Sequence, residues 1–398
     1  MHTLMNGFPP KETDQVTLAN WRTPPFIRWA FHHVREIVPS ADIANDPGSV
    51  WHLDEASIDL SHIRFPDVSG ELLSLDEYRE RSETDATIVL HKGRVVHEAY
   101  LNGMTSSSPH ILMSVSKSVL GIVTGIAIAQ GFLREDDKIE THVPEVAGTA
   151  FSGHTVRDLL DMQAGISFDE DYLAKTGPIV EYRKATNWNP LEPGDEASDL
   201  RTFFTSLTEK EENFDGRFHY VSPNSDLLGW VVERASGKRF ADYLSEVLWK
   251  PLGAEYSAYI TVDRLGGSRV AGGICATVRD LARLGLLLAA GGCRNGQQIV
   301  PKSWISDMME NGDPDAWDRG EFAEDFPGMA MHYRSKWYVL RDDNPIVFGL
   351  GIHGQNVFVD TQNDIVIAQF SSQPEPLNAK KELNTMSMVK AIIAELTA

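Results

Sequence analysis

A serine and a lysine three residues apart stand directly in front of a long apolar run in HILMSVSKSVLGIVTGIAIAQG, residues 110–131. In a helix the side chains of Ser114 and Lys117 would share one face. Apolar surroundings and the positive end of the helix dipole both favour the neutral lysine. A neutral amine can take the proton of a serine hydroxyl, so the spacing indicates nucleophilic catalysis by Ser114. The backbone N–H of Ser114 would be an oxyanion donor.

The same tetrapeptide has an ordinary structural interpretation. S-x-x-K is short enough to occur by chance, and Ser114 would then only cap the helix. Its position at the start of a helix that is hydrophobic all round favours the catalytic interpretation.

A second proton-transfer group is needed, because one lysine cannot easily act as acid and base through both halves of an acyl transfer. The segment FHYVSPNSDLLGW places Tyr220, Ser222 and Asn224 in a turn ahead of a helix. Beside Lys117, the pKa of Tyr220 would fall while that of the lysine rises, so the pair would share protons. Asn224 would fix the lysine or a substrate carbonyl. The structural alternative is a turn and cap next to a half-buried aromatic residue.

A glycine-rich strand, GLGIHGQNVFVD, supplies a third element towards the C-terminus. Gly349, Gly351 and Gly354 would let a backbone N–H approach a developing oxyanion closely. Glycines in strands also mark bulges with no catalytic role, so this element is informative only together with the other two.

Hydrophobic periodicity predicts the elements that must position these residues. ATIVLHKGRVVHEAYL predicts a hairpin around Lys92-Gly93, and the segment from Pro24 to Ile37 predicts an amphipathic helix. Helical patterns dominate from Ser114 to about Arg234, with Gly237 as a cap. YRSKWYVL, GLGIHGQNVFVD and DIVIAQFSS predict three strands, and a terminal helix starts at about Glu382.

This order of elements predicts an α+β fold in which an antiparallel sheet is flanked by N- and C-terminal helices and carries an inserted, mostly helical lobe. We assign the sheet lobe to residues 1–113 and 225–398 and the helical lobe to residues 114–224. The two form a single catalytic unit with the site between them, where small-molecule clefts tend to lie.

Composition limits the partners of the protein. Among 398 residues, 36 basic against 57 acidic side chains give a net charge of −21, which disfavours nucleic acid and anionic membranes. The start lacks a secretory signal pattern, no apolar stretch is long enough to cross a membrane, and two cysteines match no zinc spacing. We therefore expect a cytoplasmic protein without cofactor or metal that acts on a small molecule. The oligomeric state stays open, a homodimer among the options.

Taken in order, LMSVSKS, YVSPN and GIHGQ resemble the motifs of the penicillin-recognising, β-lactamase-like serine hydrolases. DEDY and GGICATVRDLARLG are similar to segments of the 6-aminohexanoate-dimer hydrolase group within that superfamily, the nylon-oligomer amidases. The resemblance runs from WAFHHVREIVPSA to DIVIAQFSS. It implies a β-lactamase/transpeptidase-like fold and a reaction through an acyl-enzyme.

The resemblance also implies roles at the matching positions. Ser114 corresponds to the nucleophile, Lys117 to the adjacent base and Tyr220 to the second acid/base. The oxyanion hole would consist of the backbone N–H groups of Ser114 and Ile352. The remaining positions are implied to contact substrate, and Tyr172 among them would cover it and touch the leaving group; they are Tyr172, Glu181, Arg183, Asn224, Ala271 and His353.

Departures from the family pattern modify the expected substrate. His353-Gly354-Gln355 stands where the superfamily has Lys-Thr-Gly, which removes the cation that recognises a β-lactam carboxylate. A literal Lys-Thr-Gly does occur at residues 175–177, but it lies in a polar loop and is not the strand motif. Arg183 stands where the nylon-oligomer enzymes carry a carboxylate that pairs with the substrate amine, although the carboxylate of Glu181 is only two positions away. Ala271 stands where those enzymes have a polar residue.

The sequence therefore predicts a serine hydrolase for carboxylic esters, short-chain esters first, with linear amides such as 6-aminohexanoate oligomers as the alternative. Weak β-lactamase or DD-peptidase activity and a non-catalytic binding protein of the same fold are the rival interpretations. An α/β-hydrolase is disfavoured because the chain has no G-x-S-x-G.

Overall fold

The protein is described here by a computed structural model, which defines residues 4–398. Within that range the chain forms sixteen strands: β1 Ser40–Ile43, β2 Asp54–Glu55, β3 Arg64–Pro66, β4 Leu72–Ser74, β5 Thr84–His91, β6 Arg94–Tyr100, β7 His110–Ile111, β8 Ala258–Thr261, β9 Ile274–Ala276, β10 Cys293–Arg294, β11 Gln297–Gln298, β12 Met331–Arg334, β13 Trp337–Leu340, β14 Ile346–Gly351, β15 Gln355–Asp360 and β16 Ile365–Ser371.

The same residues form fourteen α-helices, several of them a single turn long: α1 Ile27–Ala30, α2 Leu75–Arg81, α3 Val115–Ala129, α4 Ile139–His142, α5 Val156–Leu160, α6 Pro178–Ala185, α7 Leu200–Ser206, α8 Ser222–Ser236, α9 Phe240–Leu244, α10 Lys250–Leu252, α11 Val278–Ala289, α12 Lys302–Glu310, α13 Pro314–Asp318 and α14 Ala379–Thr397.

One eight-stranded sheet organises the molecule, in the order β12-β13-β14-β15-β16-β5-β6-β2. Its neighbouring strands are antiparallel except β2 and β6. Side chains alternate between its faces: Ile365 and Ile367 pack in the cluster that includes α14, while Val366 and Ala368 pack in the cluster that includes α11. Helix α2 lies in the same cluster as α14. This architecture confirms the predicted α+β class.

The helical lobe is built around α3, in which every residue from Val115 to Ala127 is buried. Its glycines allow contact at backbone distance, since a Cβ on Gly121 would lie 2.0 Å from the carbonyl oxygen of Ser335 in the β12–β13 turn. Helix α8 packs on α3 and α5. Because α8 runs through residues 224 and 225, the predicted division into lobes cuts a continuous helix and stays a prediction.

Three local predictions differ from the structure. The segment from Pro24 to Ile37 is not one helix, because the backbone at His33 (φ −132°, ψ 25°) leaves the helical region after α1. YRSKWYVL forms two strands, since Ser335 and Lys336 adopt positive φ and make a turn. GLGIHGQNVFVD also divides, with a turn at residues 352–354 between β14 and β15. The predicted hairpin at Lys92-Gly93 and the cap at Gly237 are confirmed.

Candidate active site

Ser114 is the residue before α3, and its position is set by a constrained turn. Met113 has φ +44°, a left-handed conformation that non-glycine residues rarely adopt. The Ser114 hydroxyl makes no capping hydrogen bond to the helix. Its Oγ lies instead 2.8 Å from Nζ of Lys117, one helical turn later. The interpretation of Ser114 as a simple helix cap is therefore wrong.

Lys117 is only 1% exposed, and its Nζ has two hydrogen-bond partners. One is the Ser114 hydroxyl, and the other is the backbone oxygen of Ala271, also at 2.8 Å. Burial lowers the pKa of Lys117 from 10.5 to about 7, with Arg269 adding to the decrease and Glu170 opposing it. A substantial fraction of the amine is then neutral at neutral pH, as general-base catalysis requires.

Tyr220 lies directly before α8, with Lys117 Nζ 4.8 Å from the centroid of its ring. Burial and the Glu170 carboxylate raise the pKa of Tyr220 above its usual value. The Ser114 side chain acts on the pKa of the Tyr220 hydroxyl in the lowering direction. The expectation that the pKa of the tyrosine would fall and that of the lysine rise is therefore wrong on both counts, because burial penalises the phenolate and the ammonium alike.

The turn between β14 and β15 brings a second backbone N–H to Ser114. A Cβ on Gly351 would lie 3.0 Å from the Ser114 nitrogen, so the two backbones touch at this point. Ile352 follows, and His353 continues the turn with φ +65°. Ser114 and Ile352 line the same two cavities. Within residues 4–398, neither of their amide groups donates to a hydrogen bond of the protein.

Three predicted substrate contacts are not brought to the cavities. Glu181 is exposed on α6 and pairs with Lys184 at 3.1 Å. The His353 ring packs against Phe31 and bonds the Gln373 carbonyl at 2.6 Å, and burial lowers its pKa to about 4, so it supplies no cation. Asn224 is fully buried in α8, and its side-chain amide has no hydrogen-bond partner in the described chain. The predictions of Glu181, His353 and Asn224 as substrate contacts are therefore corrected, because none of the three side chains lines either cavity.

The DEDY loop contributes two side chains to the site. Tyr172 lines the cavities at Ser114, and its hydroxyl donates to Glu170 Oε1 at 3.0 Å. Glu170 also accepts from the Ser222 backbone N–H at 2.5 Å and from the Ser222 hydroxyl. Arg183 donates to the backbone oxygen of Tyr172 at 2.8 Å, so it anchors this loop.

A buried ion pair fixes the backbone that Lys117 contacts. The Ala271 N–H donates to Asp226 Oδ1 at 2.7 Å, and the other Asp226 oxygen accepts from Arg269 and Tyr182. Ala271 thus acts through its backbone although its side chain is not polar. Sequence reasoning missed Glu170, Asp226 and Arg269. Glu170 stood inside DEDY, whereas Asp226 offered only a carboxylate in the second turn of a mostly buried helix and Arg269 offered no signal.

Burial rather than the motif alone distinguishes Lys117 from the other lysine of an S-x-x-K tetrapeptide. The chain contains a second S-x-x-K, from Ser387 to Lys390, on α14. Lys390 is exposed and pairs with Asp342 at 3.1 Å, so it lacks the burial that distinguishes Lys117.

Two cavities meet at Ser114. The larger, of about 260 Å³, is lined by Tyr220 and other aromatic and aliphatic side chains, and also by the polar residues Asp325, Asn378 and Glu382. The narrower, of about 30 Å³, is lined by Met113, Trp188 and three arginines among others. Tyr172 and Ile352 belong to both linings. A substrate whose carbonyl lies at Ser114 would therefore place the group on one side of the carbonyl in each cavity.

Residues 4–398 contain no group of three or more histidine, cysteine, aspartate or glutamate side chains placed to bind a metal ion. In the same range, none of the helices combines the length and the apolar character needed to cross a membrane.

Comparison with known proteins agrees with this geometry. The Beta-lactamase family pattern matches residues 75–387. The 6-aminohexanoate-dimer hydrolase of Paenarthrobacter ureafaciens is 34% identical over 369 residues, which cover 93% of this chain and 91% of that protein. A Bacillus anthracis structure, provisionally described as a 6-aminohexanoate-dimer hydrolase, has a TM-score of 0.87 and 26% identity, and the match covers 98% of this chain and 99% of that one.

A family VIII carboxylesterase shares the fold at 14% identity, with a TM-score of 0.57 over 79% of this chain and 95% of its own. The resemblance inferred from the motifs is thereby confirmed. Because the family pattern spans most of the chain and the match to the Paenarthrobacter relative extends over nearly all of it, this protein belongs to the Beta-lactamase family and is a hydrolase of the β-lactamase-like fold.

Proposed function

We propose that the protein is a serine hydrolase that cleaves carboxylic esters through an acyl-enzyme on Ser114. One observation carries this proposal: the Ser114 hydroxyl lies 2.8 Å from the amine of Lys117, a lysine that is 1% exposed. Lys336 is equally buried but its Nζ contacts Met162 Sδ, so it is the contact with the Ser114 hydroxyl that supports general-base catalysis by Lys117.

In the first half of the reaction, neutral Lys117 takes the hydroxyl proton while Oγ of Ser114 bonds to the substrate carbonyl carbon. The carbonyl oxygen becomes an oxyanion and accepts from the N–H groups of Ser114 and Ile352. Preorganised donors of this kind contribute about 3 to 4 kcal/mol each to transition-state stabilisation. The unused amide groups at this turn support that role.

Tyr220 then gives its proton to the leaving alcohol and regains one from Lys117. Its raised pKa favours the protonated form that this step requires. In the second half, water takes the place of the alcohol: the pair removes a water proton, hydroxide adds to the acyl carbon, and Ser114 leaves with a proton returned by Lys117.

Esters are the preferred class, because alkoxides leave more readily than amines and demand less of a general acid. Linear amides are the second candidate, favoured by the 34% identity to a protein named 6-aminohexanoate-dimer hydrolase. The cytoplasmic location, the lack of a cofactor and the homodimer stay predictions.

Initial rates on three substrates test the proposal: p-nitrophenyl butyrate, the linear 6-aminohexanoate dimer and nitrocefin. We expect turnover of p-nitrophenyl butyrate and little turnover of the 6-aminohexanoate dimer and nitrocefin. We expect Ser114→Ala to lose the ester turnover. Ser107→Ala, which removes an exposed serine hydroxyl from the loop before β7, is the matched control and should keep the rate.

Labelling with a fluorophosphonate, followed by peptide mass spectrometry, identifies the nucleophile. We expect one adduct, on Ser114, that is absent from Ser114→Ala. An adduct on another residue, or none, would overturn the assignment and favour a binding protein. Dimer turnover comparable to ester turnover would instead establish the amidase as the main activity.

A further inference from the structure

The narrow cavity at Ser114 contains an unusual concentration of positive charge. Its lining includes the guanidinium groups of Arg22, Arg183 and Arg269 and one carboxylate, Glu170. The same cavity contains Ser114 and Ile352, so it opens directly at the reacting carbonyl.

Only one of the three arginines is neutralised by a carboxylate. Arg269 pairs with Asp226. Arg183 donates to the backbone oxygens of Tyr172 and Ala174, and Arg22 donates to the side-chain oxygen of Asn189. Within residues 4–398, no carboxylate oxygen lies within 4.0 Å of the nitrogens of Arg22 or Arg183.

Glu170 offsets only part of this excess, and both its oxygens already accept hydrogen bonds from neutral groups. One bonds the Ser222 N–H, and the other bonds the hydroxyls of Tyr172 and Ser222. Counting Asp226, three guanidinium groups face two carboxylates. An anionic group in the cavity would restore charge balance.

Arg22 combines two features in the described part of the chain, the lack of a carboxylate partner and an unsatisfied buried N–H donor. It lies over two indoles that are themselves in edge-to-face contact, with its guanidinium carbon 5.5 Å from the Trp21 ring centroid and 5.7 Å from the Trp188 ring centroid. Its Nε is buried and has no hydrogen-bond acceptor. Burial, together with the charges of Arg183 and Arg269, lowers its pKa to about 9. Such an unsatisfied buried donor is rare in folded proteins and calls for an explanation.

The position of Tyr220 indicates whether the acyl chain or the leaving group of a substrate occupies the narrow cavity. Tyr220 lines the larger cavity and not the narrow one. Since Tyr220 is the proposed proton donor to the leaving group, that group occupies the larger cavity and the acyl chain occupies the narrow one. About 30 Å³ accommodates only a short chain.

We propose that the narrow cavity binds a carboxylate at the far end of the acyl chain, so that the preferred substrates are monoesters or monoamides of short dicarboxylic acids. This inference rests on the proposed function of Ser114. A guanidinium group with free N–H donors is suited to a carboxylate, which it can bind through two parallel hydrogen bonds.

Three esters of equal acyl length test the proposal on the intact protein: monoethyl glutarate, ethyl pentanoate and ethyl 4-(trimethylammonio)butanoate, which carry a negative, a neutral and a positive end. Ethanol release gives kcat/KM for each. We expect the anionic ester to exceed the neutral one about tenfold or more, and the cationic ester to be the poorest.

Arg22→Met should lower the ratio of anionic to neutral kcat/KM by about tenfold to a hundredfold, and Arg22→Lys should restore part of it. If Arg22 only packs against the two indoles, its replacement would lower kcat/KM for the anionic and the neutral ester together and leave their ratio unchanged. Arg201→Met, which removes another arginine that stacks on a tryptophan away from Ser114, is the control and should keep the ratio.

Two failures can be told apart. A neutral or cationic ester hydrolysed as well as monoethyl glutarate, with the activity lost in Ser114→Ala, would overturn only the carboxylate site. Absence of Ser114-dependent hydrolysis of all three esters would overturn the proposed function as well. Calorimetric titration of Ser114→Ala with glutarate gives an independent readout, in which Arg22→Met should weaken binding about tenfold or more.

Discussion

Replacement of Lys117 by methionine should abolish turnover and yet stabilise the folded protein at neutral pH. The unfolded chain holds this amine at a pKa of 10.5, whereas burial lowers the pKa in the folded state to about 7. Between these two values the unfolded state binds a proton that the folded state does not, so stability rises with pH. At about 1.4 kcal/mol per pH unit, the buried amine costs about 4 kcal/mol at pH 7 and about 2 kcal/mol at pH 9.

Methionine has a similar length and no charge, so Lys117→Met removes this cost. It also removes the hydrogen bonds to Ser114 and Ala271 and leaves the Ala271 oxygen unpaired, a loss of about 2 to 3 kcal/mol. The net gain at pH 7 is about 1 to 2 kcal/mol. Because the hydrogen-bond loss is the same at both pH values, the difference between variant and wild type should decrease by about 2 kcal/mol from pH 7 to pH 9.

Urea unfolding of wild type and variant at the two pH values measures this difference. Ser114→Ala is the control, because it keeps the lysine and should follow the pH dependence of the wild type. A stability difference between Lys117→Met and wild type that is equal at pH 7 and pH 9 would refute the reasoning, since the amine would then not be desolvated as the structure shows.

Three further predictions concern catalysis. Tyr220→Phe should keep the fold, measured by circular dichroism, and lower kcat on p-nitrophenyl butyrate by about 100- to 10,000-fold; nearly unaltered turnover would remove Tyr220 from the mechanism. In wild type, log kcat/KM should rise with pH and level off above about 7, where Lys117 is neutral; a rate that falls over this range would contradict a neutral base. Gly351→Ala should lower kcat about 100-fold, because the added Cβ would lie 3.0 Å from the Ser114 nitrogen and 2.7 Å from the Leu112 oxygen; a rate near wild type would show that this contact is dispensable.

Local patterns predicted those elements whose residues follow a single rule. The apolar run after Ser114 could only be a buried helix, and Lys92-Gly93 supplied both positive φ values of a tight hairpin turn. The turn at Ser335 and Lys336 was missed, because neither residue type favours positive φ and tertiary contacts hold the turn: the Ser335 N–H donates to Asp161 and the Lys336 N–H donates to the Leu160 oxygen.

The contact of Ser114 with Lys117 follows from helix geometry, so the sequence by itself determined the pairing of the proposed nucleophile with its neighbouring amine. What lies around them depends on residues far apart in the chain. The proton donor, the Ile352 amide and the arginines come from different elements, and the pKa of Lys117 follows from the burial that those elements together produce. Arg22 and Arg183 lie 161 positions apart in the chain, and only tertiary packing brings the N-terminal segment and α6 to one cavity. The excess of positive charge there could therefore not be predicted from the sequence.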